Sequence, residues 1–293
     1  MTTRHGWQSL ALSAATAVLA LAVLDAQQLT LPNQKDSVHF AVIGDSGTGG
    51  SDQRAVAARL SAMHKTFPFD IVLMLGDNLY GNESKRDYVA KFEVPYKALL
   101  DAKVKFYASL GNHDDGTQVM YEPFNMGGKK YYTFKPQGAS VRFFALDSNY
   151  MDKEQLAWLE KELAGSQSDW KIMFFHHPLY SSGATHGSTV PLRDQLEPLF
   201  VKYGVDVVFA GHEHFYERIK PQKGIYHFVS GGAAKLRRGD IRPSALTEKG
   251  FDAGHHFMLV EVTEKVLHFQ TISDKGVTVD SGALPRREPV RPF

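Results

Sequence analysis

Residues 38–47 read Val-His-Phe-Ala-Val-Ile-Gly-Asp-Ser-Gly, a short apolar run that stops abruptly at Gly44-Asp45. The same pattern returns at 71–80, Ile-Val-Leu-Met-Leu-Gly-Asp-Asn-Leu-Tyr, and at 104–114, Val-Lys-Phe-Tyr-Ala-Ser-Leu-Gly-Asn-His-Asp. Each run has the length and β-branched, aromatic character of a buried strand, and each ends in a glycine followed by a polar residue. Between the first two lies a stretch, 52–66, in which Val56, Ala57, Leu60 and Met63 recur at helical spacing. Between the second and third, residues 86–100 also read as helical. The first third is therefore β-α-β-α-β, which predicts parallel strands joined by crossover helices.

Further along, residues 131–135 and 141–146 predict a strand pair across Pro136-Gln137-Gly138, and Leu156, Leu159 and Leu163 mark a helix over 152–164. Residues 172–175 predict a strand ending at His176, residues 191–203 a helix stopped by Gly204, and residues 205–210 a strand ending at Gly211-His212. Residues 225–229, 256–262 and 265–272 are expected to finish the core as antiparallel strands, the last two followed by a hairpin turn at Asp274-Lys275-Gly276. Asp45, Asp77, Asn112, His176 and His212 each fall just past the C-terminal end of a predicted strand. In open α/β sheets that edge is where ligands bind.

Bulk properties narrow the class. The chain has 293 residues, 43% hydrophobic and 22% charged, as expected of a globular protein with a sizeable core. A formal net charge of +1 gives no electrostatic case for nucleic acid, and the short basic stretch with Lys235, Arg237 and Arg238 reads as a solvated loop. There is no cysteine, so disulfides, thiolate metal sites and a lipoprotein anchor are excluded. At the start, Arg4 and His5 precede an apolar run over 10–24, too short for a membrane span and followed by Leu24-Asp25-Ala26. Residues 1–26 are expected to be a signal peptide, or an N-terminal anchor if uncleaved. A single catalytic domain is expected over 36–284, with 285–293 a disordered tail.

A lone Asp after a strand is commonly a helix N-cap, and a lone His is more often a satisfied structural residue than a ligand. Five such motifs in one chain change the weighing, because together they supply carboxylates, a phenol, an amide and imidazoles enough for two metal ions. The order Asp45-x-Gly47, Asp77-x-x-Tyr80, Asn112-His113, His176-x-Pro178 and His212-x-His214 resembles the calcineurin-like metallophosphoesterases. Tyr80, three residues after Asp77, and Gly47 narrow the resemblance to the purple acid phosphatases, and overall layout and length are similar to their small, tartrate-resistant type.

The resemblance implies an α/β fold, a four-layer α/β/β/α sandwich of two mixed sheets. It implies Fe(III) held by Asp45, Tyr80 and His214, a divalent Fe, Zn or Mn ion held by Asn112, His176 and His212, and Asp77 bridging the two. Hard anionic donors suit the trivalent ion, and neutral amide and imidazole donors the divalent one. It further implies hydrolysis of phosphomonoesters by attack of a metal-bound hydroxide, with an acidic bias, and a phosphodiesterase or nucleotide hydrolase of the same superfamily as the alternative. His113 and His186 would assist the departing alkoxide, with Asp114 orienting His113 and His186 riding on a mobile loop. His177 and Glu213, next to ligands, are expected to point away by strand alternation. Tyr132, Asp147 and Asn149 are further candidates to line the site. The expected partner is a small-molecule phosphate ester. Nucleic acid is not an expected partner, nor is a membrane once the signal is cleaved. A secreted or periplasmic monomer is expected.

Overall fold

The computed structural model describes residues 29–166, 169–242 and 244–287. The expected signal segment and residues 288–293 of the expected tail lie outside the described residues. Arg286 and Arg287, inside that tail, are held by hydrogen bonds from the Arg286 amide to the Lys265 carbonyl (2.8 Å) and from the Arg287 guanidinium to the Val205 carbonyl (2.9 Å). Among the described residues no helix is long and apolar enough to cross a membrane.

Two mixed sheets form the centre. In the first, β1 (Val38–Ile43), β2 (Ile71–Met74) and β3 (Lys105–Ala108) run parallel, as their crossover helices require. The helices are α1 (Ser51–His64) and a broken segment of α2 (Lys85–Tyr88), a π-turn (Val89–Glu93) and α3 (Lys97–Asp101). The second sheet begins with β4 (Tyr132–Phe134) and β5 (Val141–Ala145), an antiparallel pair in which Tyr132 faces Ala145. It continues in parallel through β6 (Trp170–Phe175), β7 (Val207–Ala210) and β9 (Ile225–Ser230), with α4 (Lys153–Ala164) and α5 (Val190–Lys202) as connections. Strand β8 (Tyr216–Gln222) and the edge strand β10 (Thr247–Phe251) close that side. Antiparallel β11 (His256–Val262), β12 (Val266–Ser273) and β13 (Thr278–Pro285) return to the first sheet against β1.

Strand pleating explains why both faces are apolar. Trp170, Ile172 and Phe174 of β6 join the cluster between the sheets, where Phe40 meets Phe143 at 5.2 Å and Phe228 meets Phe269 at 4.9 Å. Met173 and Phe175, the alternate residues, join the outer cluster under Leu159, Leu163, Leu196 and Phe200 of α4 and α5. On the far side Val56, Ala57, Leu60 and Met63 of α1 cover the first sheet. The result is the α/β/β/α arrangement.

One expectation needs correcting, and three strands go unread in the sequence. Strand β9 is antiparallel to β8 but parallel to β7, because the run 211–224, which holds His212–His214 and β8, intervenes between β7 and β9. Strands β8, β10 and β13 were not legible as strands. Tyr-Glu-Arg-Ile-Lys-Pro-Gln and Thr-Glu-Lys-Gly-Phe carry the charges, proline and glycine that strands near a sheet edge tolerate and that mask any alternation.

Candidate metal centre

The loops after β1, β2 and β3 of one sheet meet the loops after β6 and β7 of the other. Asp45, Asp77 and His212 each adopt the left-handed backbone region, with φ of 55°, 50° and 68°. Non-glycine residues there are uncommon and carry strain, which concentrates at functional sites. The turn lets each side chain swing back over its strand end. The preceding residues must be small. A Cβ on Gly111 would stand 2.2 Å from Asp77 Oδ1, so only glycine lets the Asn112 loop close against that carboxylate.

The donor atoms converge in two groups that share Asp77. On one side the Tyr80 hydroxyl lies 3.1 Å from Asp45 Oδ1, and His214 Nε2 lies 3.3 Å from the same oxygen. The Asp45, Asp77 and His214 donors all fall within 4.8 Å of one another. On the other side His176 Nε2 is 3.0 Å from Asn112 Oδ1, 3.0 Å from His212 Nδ1 and 3.4 Å from Asp77 Oδ1. Metal bonds of about 2.0–2.2 Å place neighbouring ligands about 3.0 Å apart at right angles and about 3.4 Å apart at tetrahedral angles. The observed separations fall in that range, so the residues present fit two metal ions.

Electrostatics agree with this fit. Asp45 is fully buried; desolvation and then the Asp77 charge push its carboxyl well above the usual range. Tyr80 is pushed far up by desolvation and then by Asp45 and Asp77, so its phenol ionises only against a strong cation. Burial pushes His212 down to about 2 and His214 down to about 3, and holds His176 well below its ordinary value. Proton-free imidazoles are what a metal requires. His176 is also oriented through Nδ1 by the Leu75 carbonyl at 2.9 Å, the outer contact typical of a ligating histidine.

The surrounding loops are tied together. The Tyr80 amide donates to the Gly47 carbonyl at 2.9 Å, and Lys91 of the π-turn donates to the carbonyls of Tyr80 and Asn82. Asp114 does not reach for His113. It accepts hydrogen bonds from the amides of Asn78, Leu79 and Gly111 at 3.1, 3.0 and 2.8 Å, which staples the Tyr80 loop to the Asn112 loop. His113 is exposed, its amide donating to Asp77 Oδ1 at 3.0 Å and its ring 5.1 Å from that of Tyr80. His186 is also exposed, its ring 4.2 Å from that of His212.

Several neighbours differ from the sequence reading. His177 does not point away. The pleat ends at Phe175, and the His177 ring sits 4.5 Å from that of His212 and 2.9 Å from the Ser148 hydroxyl. It lines a cleft of about 480 Å³ with Asn112, Asp114, Lys130, Asp147 and Asn149. Tyr132 is in the core instead, its hydroxyl donating to the Ala108 carbonyl. The basic stretch is not wholly solvated either. The Lys235 ammonium lies 4.4 Å above the Tyr80 ring, and the Arg237 amide donates to the His214 carbonyl at 3.0 Å. Nothing in the run Lys-Leu-Arg-Arg announces this, because the long β9–β10 connection alone folds it back onto the site.

The calcineurin-like phosphoesterase pattern matches residues 38–216, the stretch that contains every candidate ligand. Purple acid phosphatase 17 of Arabidopsis thaliana is 30% identical over 260 residues, 76% of each chain. Tartrate-resistant acid phosphatase type 5 of Homo sapiens is 26% identical over 321 residues, covering 91% of this chain and 98% of the human one. Among solved structures, GAP50, the anchor in the inner membrane complex of Plasmodium, aligns with a TM-score of 0.73 at 18% identity, over 86% of this chain and 90% of that one. That likeness concerns the fold alone, and function has to be argued from the site. On its sequence relatives and its paired donor groups, the chain belongs to the calcineurin-like phosphoesterases, in the purple acid phosphatase branch, and is a dinuclear-metal phosphoesterase of the acid phosphatase class.

Proposed function

We propose that the protein hydrolyses phosphomonoesters of small molecules, outside the cytoplasm and as a monomer, with Asp45, Tyr80 and His214 holding Fe(III), Asn112, His176 and His212 holding a divalent Fe, Zn or Mn ion, and Asp77 shared. The observation that carries the reading is the convergence of those side chains at ligand-to-ligand distances on either side of Asp77. When bound, the two ions supply an acidified water as nucleophile and neutralise charge on the phosphoryl oxygens.

The chain's own residues do the rest. Asp45, Asp77 and Tyr80 bring anionic donors into a buried site, where only a highly charged cation offsets their mutual repulsion. Exposed His113 stands beside Asp77 and Tyr80, where an entering phosphate would meet it, and hands a proton to the departing alkoxide. His186 approaches from the His212 side and shares that task. Lys235, over the Tyr80 ring, adds positive charge that attracts the phosphate anion. The cleft beside Asn112 has room for the alcohol portion. The N-terminal apolar segment supports export.

The test compares p-nitrophenyl phosphate with bis(p-nitrophenyl) phosphate from pH 4 to 9, using iron-loaded protein. A monoester preference with an acidic optimum is expected. A diester preference, or activity confined to alkaline pH with added Mn(II), would overturn the reading in favour of a phosphodiesterase.

A further inference from the structure

The segment that carries His186, residues 181–188, reads Ser-Ser-Gly-Ala-Thr-His-Gly-Ser, a composition that predicts a mobile loop. In the structure three buried carboxylates hold it. Glu217 accepts the Ser182 amide at 2.8 Å, Asp240 accepts the Thr185 hydroxyl at 2.6 Å, and Glu213 accepts the Gly187 amide at 2.6 Å. Glu213 and Glu217 are fully buried and Asp240 is 9% exposed. Each contact is a charge-assisted hydrogen bond to a carboxylate removed from water, which specifies the loop strongly, while among the described residues Glu213 Oε2 and Asp240 Oδ2 accept no hydrogen bond.

Glu213 differs from the other two in position. It lies between His212 and His214, and its side chain passes beneath the loop rather than toward the metal donors. The fit is close enough that a Cβ on Gly183 would stand 2.4 Å from Glu213 Oε1. The Arg237 guanidinium sits 3.7 Å from Oε2 and balances its charge. Gly187, the residue it grips, directly follows His186, whose ring stands 4.2 Å from that of His212.

We infer that Glu213 is a positioning residue for His186, fixing the imidazole over the divalent side of the centre by holding the backbone on which it rides. The inference rests on the phosphatase reading above. A loop of this composition without its anchor spreads His186 over many placements, and misplacing a catalytic group by about 1 Å can cost about 10²-fold in rate.

The test measures kcat, KM and metal content for the wild type, Glu213→Ala, His186→Ala and the double variant, with hydrogen exchange over residues 181–190. Glu213→Ala is expected to lower kcat about as far as His186→Ala does, to keep KM and both metals, and to speed exchange in the loop. The double variant should be no slower than His186→Ala. Glu213→Gln keeps the acceptor for the Gly187 amide and should recover most of the rate. Gly183→Ala leaves the residue between the ligands untouched and should reproduce the loss by pushing the loop off Glu213. Losses that multiply in the double variant, loss of metal in Glu213→Ala, or unchanged exchange would each overturn the inference. A loaded wild type without phosphatase activity would overturn the functional reading instead, and loop exchange would still decide whether Glu213 holds the loop.

Discussion

The Asp45–Tyr80–His214 side of the centre and the Asn112–His176–His212 side share Asp77 but differ in charge and exposure. Asp45 is completely buried and Tyr80 partly so, and both are acidic groups that burial forces toward the neutral form. On the other side the donors are an amide and two imidazoles, and Asn112 is exposed beside an open cleft. An acid held in a dry site gains from a cation far more than an exposed amide does, because Coulomb attraction is less screened there. On the proposed assignment, the Asp45 side would hold its ion more tightly than the side beside the cleft.

Substitutions should separate the halves. Asp77 belongs to both, so Asp77→Asn is expected to have the largest effect. Metal analysis should find fewer than two ions, and activity should fall beyond the about 10²–10³-fold cost of one lost oriented donor. Two retained ions would mean that Asp77 does not bridge. His113→Ala should lower kcat by about 10²-fold while leaving both ions in place, which separates chemistry from binding. If metal content drops with the rate, His113 is a structural part of the centre. Asn112→Ala should weaken the divalent ion alone by about 10–100-fold, seen as a raised metal requirement for activity, with the iron retained. Equal loss of both ions would erase the distinction between the halves.

The smallest expected effect lies outside the centre. Buried His227 stacks edge-on to Tyr180, and desolvation pushes its pKa down to about 3. The unfolded chain takes up that proton as pH falls through about 6.5, while the folded chain refuses it until about pH 3. Stability is therefore full above about pH 6.5 and declines below it, by up to about 1.4 kcal/mol per pH unit from this group. His227→Gln should flatten the fall of Tm between pH 6.5 and 4 relative to the wild type. Parallel Tm curves for the two proteins would show that His227 titrates normally in the fold.

Much of this layout was legible in the chain. The apolar runs ending at Gly44-Asp45, Gly76-Asp77, Gly111-Asn112, His176 and Gly211-His212 are all strands, and those of β2, β6 and β7 are buried on both faces, the case in which local sequence and tertiary environment agree. What escaped was set by distant partners. Strands β8 and β10 pair with each other, and their charged sequences, broken by Pro221 in the first and Gly250 in the second, show no pattern of their own. Asp114 looked like a partner for His113, yet three backbone amides from two loops claim its carboxylate. His177 escaped because alternation was extended two residues past the end of β6 at Phe175. Lys235 and Asp240 are brought to the site by the long connection after β9, and no local spacing encodes that return.

The proposed assignment gives Tyr80 and its buried neighbours an Fe(III) ion as one half of a two-metal centre. It is tested most directly by the visible spectrum and metal content of iron-loaded wild type beside Tyr80→Phe. The wild type should bind two ions and show the purple phenolate-to-iron absorption implied by its relatives, and Tyr80→Phe should lose that band while the divalent ion remains. A colourless wild type carrying two ions, or a band that survives in Tyr80→Phe, would contradict the assignment of Tyr80 as a ligand.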